Sequence, residues 1–522
     1  MVLKRFSFLS SVTGVVVLMA AIPLFFVVYS SFQLSSERWY GLWDTRLPDL
    51  MGNTLWLALI VALGCFILGV SSAWLIARRT FAGRTLAIWL MVLPLAIPTY
   101  VFAYIYTSML ADDGWLGKLW VTLFGSGVGI PDIYTGWGAG FILSLAGFSY
   151  VFLLVRTSLT GASLSMEEAA RLHGATPLEV FMRVQLPLLR PALAAGLAVV
   201  TLHVLSDFGA VSMLQYQTFT LSIYMQMEGR LDNQGAAGLS LVLVMLSLTF
   251  LVLERFFRSR QRYFSNSRSR RFQPRRATGG ELVMIWCWLG LIALFAFILP
   301  LVWVLHWSWQ AWSADLIGSE FWGYTYNSLM LGVIAASATV VVGLPVALYH
   351  SRVRSWLSAC YLHLSSIGFV LPGPVVALGV ITFVLAQLPL LYGGLVVLLM
   401  ALMVRFMPLA VQSQEAAMQQ LTPSIEQAGR VLGAGPLENL WRVTLPMIRG
   451  GVITAWVLVF IDVIKELPAT LILRPIGYDT LPVRIWIEAS EEMLELAAPA
   501  ALMLIVGTLP ALWIMMRAEG RR

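Results

Sequence analysis

Glu167 to Arg190 reads EEAARLHGATPLEVFMRVQLPLLR, and Glu426 to Arg449, 259 positions later, reads EQAGRVLGAGPLENLWRVTLPMIR. Thirteen of the 24 positions are identical. The surrounding chain is apolar: 59% of its 522 residues are hydrophobic and only 12% are charged, against about 25% charged in a soluble domain. Its mean hydropathy of +0.81 excludes an ordinary water-soluble fold and marks an integral membrane protein. A polar element present twice in such a chain faces water, and it predicts a soluble partner.

A helix needs about 20 apolar residues to cross the hydrocarbon layer, and helices or closed barrels are the structures that satisfy their own backbone there. Twelve candidate spans occur, from 10–32 to 496–516, among them 86–110, 190–213, 357–386 and 449–472. The fold class expected is an all-α polytopic membrane protein. Lys4 and Arg5 precede the first apolar run, which is too long for a signal-peptide core and is read as a retained helix. With twelve spans, Lys4, Arg5, Arg78, Arg79, Arg84, both repeated segments, Arg352, Arg354, Arg517, Arg521 and Arg522 fall on one side, which the distribution of basic residues assigns to the cytoplasm. Both termini are then cytoplasmic. The net charge of +7 follows from this topology, with no nucleic acid implied.

The duplication extends beyond the loop. Asn53-Thr54-Leu55 parallels Asn327-Ser328-Leu329, and Leu93 to Pro98 parallels Phe369 to Pro374. An even number of spans separates the copies, so the halves are parallel repeats of six helices each, enclosing one pathway. The first half is 1–257 with its loop at 165–190, and the second is 282–522 with its loop at 424–449. A linker at 258–281 joins them; Arg255 to Arg276 holds nine arginines and no acid, a composition suited to anionic lipid headgroups. Pro94, Pro98, Pro372 and Pro374 are expected to kink the third and ninth spans. Cys65, Cys287, Cys360, His203 and His306 have no metal-ligand spacing, so neither metal nor cofactor is expected.

Each repeated segment reads as two short helices. Ser165 with Glu168, and Ser424 with Gln427, fit a capping box at the first start. Thr176-Pro177-Leu178-Glu179 and Gly435-Pro436-Leu437-Glu438 mark the second. Leu186-Pro187 and Leu445-Pro446 are expected to end it and turn the chain toward the membrane. Ala170 and Gly174, like Gly429 and Gly433, are four apart and give a bare helix face suited to close approach. That face serves either a soluble partner or the chain's own bundle; Glu167, Arg171 and Arg430 around it favour the partner.

The pattern Glu168-Ala169-Ala170, Gly174, Leu186-Pro187 resembles the EAA loop of type I ATP-binding cassette importer permeases. In the second copy Gln427 replaces the motif's Glu and Gly429 its second Ala, while Gly433 and Leu445-Pro446 match. The resemblance implies a coupling helix seated in a groove of an ATPase. It places the coupling surface at Glu167, Glu168, Ala169, Ala170, Arg171 and Gly174, and at Glu426, Gln427, Ala428, Gly429, Arg430 and Gly433. Lys465-Glu466-Leu467-Pro468-Ala469-Thr470-Leu471, with Asp207-Phe208-Gly209 and Thr218-Phe219-Thr220 in the first half, is similar to permeases of the fused ferric iron family. That likeness covers nearly the whole chain and implies the fold of a type I importer permease in the bacterial inner membrane.

No phosphate-cradling G-x-x-x-x-G-K-[S/T] loop occurs, so ATP hydrolysis is expected in a separate subunit and this chain is expected not to be an enzyme. Two loops imply two ATPase copies, and the importer class implies a periplasmic or extracellular binding protein. Asp207, Asp462, Lys465 and Glu466, within or bordering the fifth and eleventh spans, are candidates for a polar gate, since charges at membrane depth are costly. Oxygen ligands there suit a hard cation such as Fe³⁺. The competing reading is a structural Lys465–Glu466 pair or carboxylates solvated at the interface. A thiamine importer permease and a secondary transporter driven by an ion gradient are the alternative functions.

Overall fold

The computed structural model describes residues 2–161, 170, 172–259, 275–353, 355–369, 371–419 and 421–520. Most of the described residues are helical, because an apolar backbone in lipid has to satisfy its own hydrogen bonds. Among the described residues, ten helices are long and apolar enough to span a membrane, and a bent pair, Arg84–Ala96 with Thr99–Leu110, raises the number to eleven. The expected ninth span is not one helix: 357–386 is divided among Trp356–Ser365, a tight turn at Ile367–Phe369 and the shorter helix Gly373–Gln387.

Proline places both breaks. In the first half the two arms meet at 95°, with Pro98 extended at φ −61° and ψ 151° just before Thr99 starts the second arm. In the second half Pro372, at φ −58° and ψ 153°, precedes Gly373 in the same way. A proline ring removes the backbone donor that would carry the helix through the corner, as the sequence led one to expect.

The compact units do not coincide with the sequence halves. The larger one comprises Met1–Gly41, Ser222–Leu241 and Ala311–Arg522, and the other Leu42–Leu221 and Val242–Gln310. The first helix of the chain thus belongs with most of the second half; Thr13 Oγ1 donates to Pro345 O at 3.2 Å, and Phe26 and Phe383 meet edge to face. The apolar start of the second half, from Gly280, belongs likewise with most of the first. Hydropathy identifies a span but carries no information about which neighbour it packs on.

Within the smaller unit, Leu47–Arg78 packs along Gly136–Gly161, where a methyl group on Gly64 would overlap Ser144. Small residues let two backbones approach where lipid offers no hydrophobic drive to do so. The far end of the arginine-rich segment is also held here. Arg275–Arg276 pairs as a parallel strand with Arg79–Thr80, and Arg79 Nε meets Glu281 Oε1 at 2.5 Å.

Candidate functional site

The second repeated loop is the more fully described. Its first helix is Pro423–Val431, followed by a corner and then by Pro436–Asn439. It starts two residues earlier than the capping-box reading: Ile425 N–H donates to Thr422 O at 3.2 Å, and Ser424, inside the helix, donates its hydroxyl to Thr422 Oγ1. Thr422-Pro423 is a cap followed by proline at the first helical position, so proline's fixed φ decides the boundary.

Gly433 closes this helix at φ +90°, and Gly174 occupies the same place in the first loop at φ +83°. Ala434 N–H donates to Gly429 O at 3.1 Å, and Ala175 N–H to Ala170 O at 3.1 Å. These are Schellman closures, in which a left-handed glycine just past the helix lets the next N–H reach back five residues. Gly174 and Gly433 therefore serve as C-caps outside the helix face, which corrects the bare-face reading. A Cβ on either would meet nothing within 4 Å, so backbone conformation and not close approach requires glycine there. At Gly429 the reverse holds. A Cβ there would overlap Asn439 Oδ1, so the chain itself occupies that close approach.

Glu426 points inward. It is 6% exposed, and its Oε1 accepts from Arg352 Nη2 at 2.5 Å and from Thr444 Oγ1 at 3.1 Å. Gln427 and Ala428 are exposed, and Val431 and Leu432 are 87% and 88% exposed. Leu172 in the first loop is 87% exposed. The surface available to a partner thus includes apolar side chains that the motif-based set omitted. Glu167, Glu168, Ala169 and Arg171 lie outside the described residues, as do Ser165 and the side chain of Arg430.

The second start holds as expected in the first loop: Thr176 N–H and Oγ1 both donate to Glu179 Oε2 at 2.9 Å, and Glu179 N–H donates to Thr176 Oγ1 at 3.3 Å. The Thr176 backbone N–H, then its hydroxyl, hold the Glu179 carboxyl below its ordinary range. The exit differs from expectation. The chain does not turn at Leu186-Pro187 or Leu445-Pro446 but runs on through π turns, Phe181–Gln185 and Leu440–Thr444, into the helices Leu186–Ser206 and Leu445–Ile464. Leu186 N–H reaches Phe181 O and Leu445 N–H reaches Leu440 O. The wider turn accommodates a proline that would otherwise clash with the preceding carbonyls, so proline starts the span where the sequence rule ends a helix.

At the far ends of those helices stand two of the gate candidates, Asp207 and Glu466, also 259 positions apart. Asp207 Oδ2 accepts from Thr99 Oγ1 at 2.5 Å and its Oδ1 from the N–H groups of Ala210 and Val211. Glu466 Oε2 lies 3.2 Å from Arg405 Nε, and its Oε1 accepts from Ala469 N–H at 3.2 Å. Thr99 and Gly373 begin the arms that follow the two proline breaks, and a Cβ on Gly373 would overlap Arg405 and Pro468. Asp207 therefore binds the first elbow directly, whereas Glu466 is held by Arg405 and Ala469 beside Gly373 at the second. Lys465 Nζ lies 3.9 Å from Asp462 Oδ1, while Glu466 pairs with Arg405.

One shared device had no functional reading in the sequence. Asn53 Nδ2 donates to Gln217 O at 3.1 Å while Tyr216 Oη donates back to Asn53 O at 3.4 Å. Asn327 Nδ2 donates to Asp479 O at 3.0 Å and Tyr478 Oη to Asn327 O at 3.0 Å. Thr54 and Ser328 complete each clasp by accepting the N–H of Phe219 and Leu481. The repeated Asn-Thr/Ser-Leu and the recurring tyrosine were its signal. The second clasp is reinforced by ions: Asp479 pairs with Arg474, Arg484 Nη1 lies 3.7 Å from Asp479, and Arg484 Nη2 lies 2.8 Å from Glu488 Oε1. Desolvation lowers the Arg474 pKa and, together with Glu228, raises that of Tyr224 to about 12.

Duplicated polar loops, each feeding a long apolar helix that ends at a carboxylate beside a proline elbow, define a polytopic membrane protein built from two repeats. The chain belongs to the family described as binding-protein-dependent transport system inner membrane component, whose model matches residues 66–263 and 339–521. As a member it is a transport subunit of the bacterial inner membrane, working with ATPase subunits and a substrate-binding protein. It is 29% identical over 93% of its length, and 93% of the relative's, to the Fe(3+)-transport system permease protein FbpB 2 of Haemophilus influenzae. It is 24% identical to the ferric transport system permease protein FbpB of Actinobacillus pleuropneumoniae over 88% of this chain and 72% of that one. Among solved structures, a bacterial alginate ABC transporter in complex with an alginate-bound periplasmic protein aligns with 46% of this chain and 87% of its own, at 18% identity and a TM-score of 0.39.

Proposed function

We propose that the chain is the fused permease of a ferric iron importer, forming the translocation pathway and taking one ATPase copy at each loop, with both termini in the cytoplasm. The observation that carries the iron reading is the similarity, over 93% of both chains, to a relative named for Fe(3+) transport. The KELPATL string at Lys465 to Leu471 supports it, since Glu466 there is a buried carboxylate at the elbow of the second half. Ferric iron is a hard cation that favours oxygen donors, and it crosses here as cargo. ATP-driven closure of two ATPase copies would bias the halves between two states, with each loop as the point of force.

The test is uptake of radiolabelled ferric iron and of thiamine, side by side, in cells expressing the permease with its ATPase and binding protein. Iron uptake that stops on ATP depletion is expected. Thiamine uptake, or iron uptake that survives ATP depletion and collapses with the proton gradient, overturns the reading. Replacing the exposed Leu172 and Val431 together by arginine tests docking, and unaltered ATPase co-purification and uptake refute it.

A further inference from the structure

The Pro423–Val431 helix presents Gln427, Ala428, Val431 and Leu432 to solvent, yet Glu426 on the same helix is buried. Its carboxylate meets two other elements. Arg352, the last residue of the Glu320–Arg352 span, reaches Oε1 at 2.5 Å, and Thr444, the last residue of the π turn that opens into the Leu445–Ile464 span, donates to the same oxygen at 3.1 Å. Asn439 Nδ2 donates to the Glu426 backbone carbonyl at 3.2 Å, and the absence of a side chain at Gly429 leaves Asn439 its place. A single carboxylate therefore ties this helix to the ends of two spans.

We propose that the Glu426–Arg352 pair is a mechanical joint that passes movement of the second loop to the 320–352 span, and that Glu426 is a positioning residue and not a docking contact. The inference rests on the reading that this loop engages an ATPase. A buried ion pair suits such a joint, because separating its partners leaves an uncompensated charge away from water. The helix therefore moves together with Arg352 and Thr444 or not at all. Exposed Val431 and Leu432 receive the push, and Glu426 hands it on.

The sequence places a related set in the first half. Arg78 ends the Leu47–Arg78 span and is buried, Glu167 stands 259 positions before Glu426, and Gln185 occupies the place of Thr444. Gln185 Oε1 accepts from Trp74 Nε1 at 2.8 Å, and the hydroxyl of Thr444 has no counterpart at that place.

The experiment uses the whole permease with its ATPase and binding protein, reconstituted in proteoliposomes, and compares Glu426→Gln, Arg352→Gln and the double variant. The readouts are ATPase co-purification and radiolabelled ferric iron transported per ATP hydrolysed. Each single variant should keep the ATPase while transport per ATP falls at least fivefold, and the double should be no worse than either single, as for two residues acting through one contact. Wild-type coupling in Arg352→Gln, loss of the ATPase in Glu426→Gln alone, or effects that multiply in the double would each overturn the joint. Where a glutamine variant fails to fold, Arg352→Lys is read instead: reduced coupling with docking intact supports the joint, and wild-type coupling overturns it. Docking itself is tested separately by the arginine substitutions at Leu172 and Val431, so failure of the joint is distinguishable from failure of the coupling-loop reading.

Discussion

Gly429 and Gly433 stand four residues apart in one loop, yet the structure assigns them opposite requirements. Gly433 sits at φ +90° with nothing within 4 Å of an added Cβ. Gly433→Ala therefore introduces no clash and costs only left-handed strain, about 1–2 kcal/mol, a five- to thirtyfold shift in the local closing equilibrium. Asparagine tolerates that conformation better, so Gly433→Asn should cost less. Gly429→Ala faces the other problem: its Cβ would stand closer to Asn439 Oδ1 than the 3.0 Å that real contacts keep, and Asn439 is itself buried. Asn439 has to move, giving up its bond to Glu426 O at a cost of about 1–3 kcal/mol. Limited proteolysis of the loop, read together with ATPase co-purification, ranks the variants as Gly433→Asn mildest, Gly433→Ala intermediate and Gly429→Ala at least as severe as Gly433→Ala. A benign Gly429→Ala, or Gly433→Asn as damaging as Gly433→Val, would refute the division between packing and conformation.

Arg405→Gln leaves the Glu466 carboxylate buried without its ion partner and should destabilise the protein by about 3–5 kcal/mol; Asp207→Asn, whose acceptor oxygen survives, should cost far less, as thermal unfolding in detergent will show. Because Glu179 is held below the ordinary carboxylate range, its contribution to the first loop is present above that range and is lost as pH falls through the lowered value. Hydrogen-exchange protection of residues 172–185, taken relative to the intrinsic rate at each pH, should fall on acidification, and Glu179→Gln should flatten that dependence. Tyr478→Phe and Asn327→Ala each break one arm of the same clasp at about 1 kcal/mol. The double variant should cost less than the sum, measured in the same unfolding assay.

The loop was legible where its chemistry is local. The Thr176-Pro177-Leu178-Glu179 start forms as its pattern implies, and both proline elbows fall where Pro98 and Pro372 remove a backbone donor. The Leu-Pro exits were misread for an equally local reason: proline in a helix carries two outcomes, a stop or a π turn, and only the flanking backbone selects one. Small residues at Gly429 and Gly433 looked alike because residue type does not report φ. The gate candidates were found by the cost of charge at depth, but their partners were not: Arg405 lies 61 positions before Glu466 and in no motif with it.

From sequence alone came the membrane class, the repeat, the two coupling loops and the family resemblance, because hydropathy, caps and duplicated strings are properties of neighbouring residues. Tertiary structure alone decided that Glu426 faces Arg352 and not solvent, that Asp207 meets Thr99 and Glu466 meets Arg405, and that the first helix belongs with residues 311–522. Those choices depend on which groups meet when spans pack. A buried charge takes as its partner whatever the packing brings within about 3 Å, and distance along the chain does not encode that.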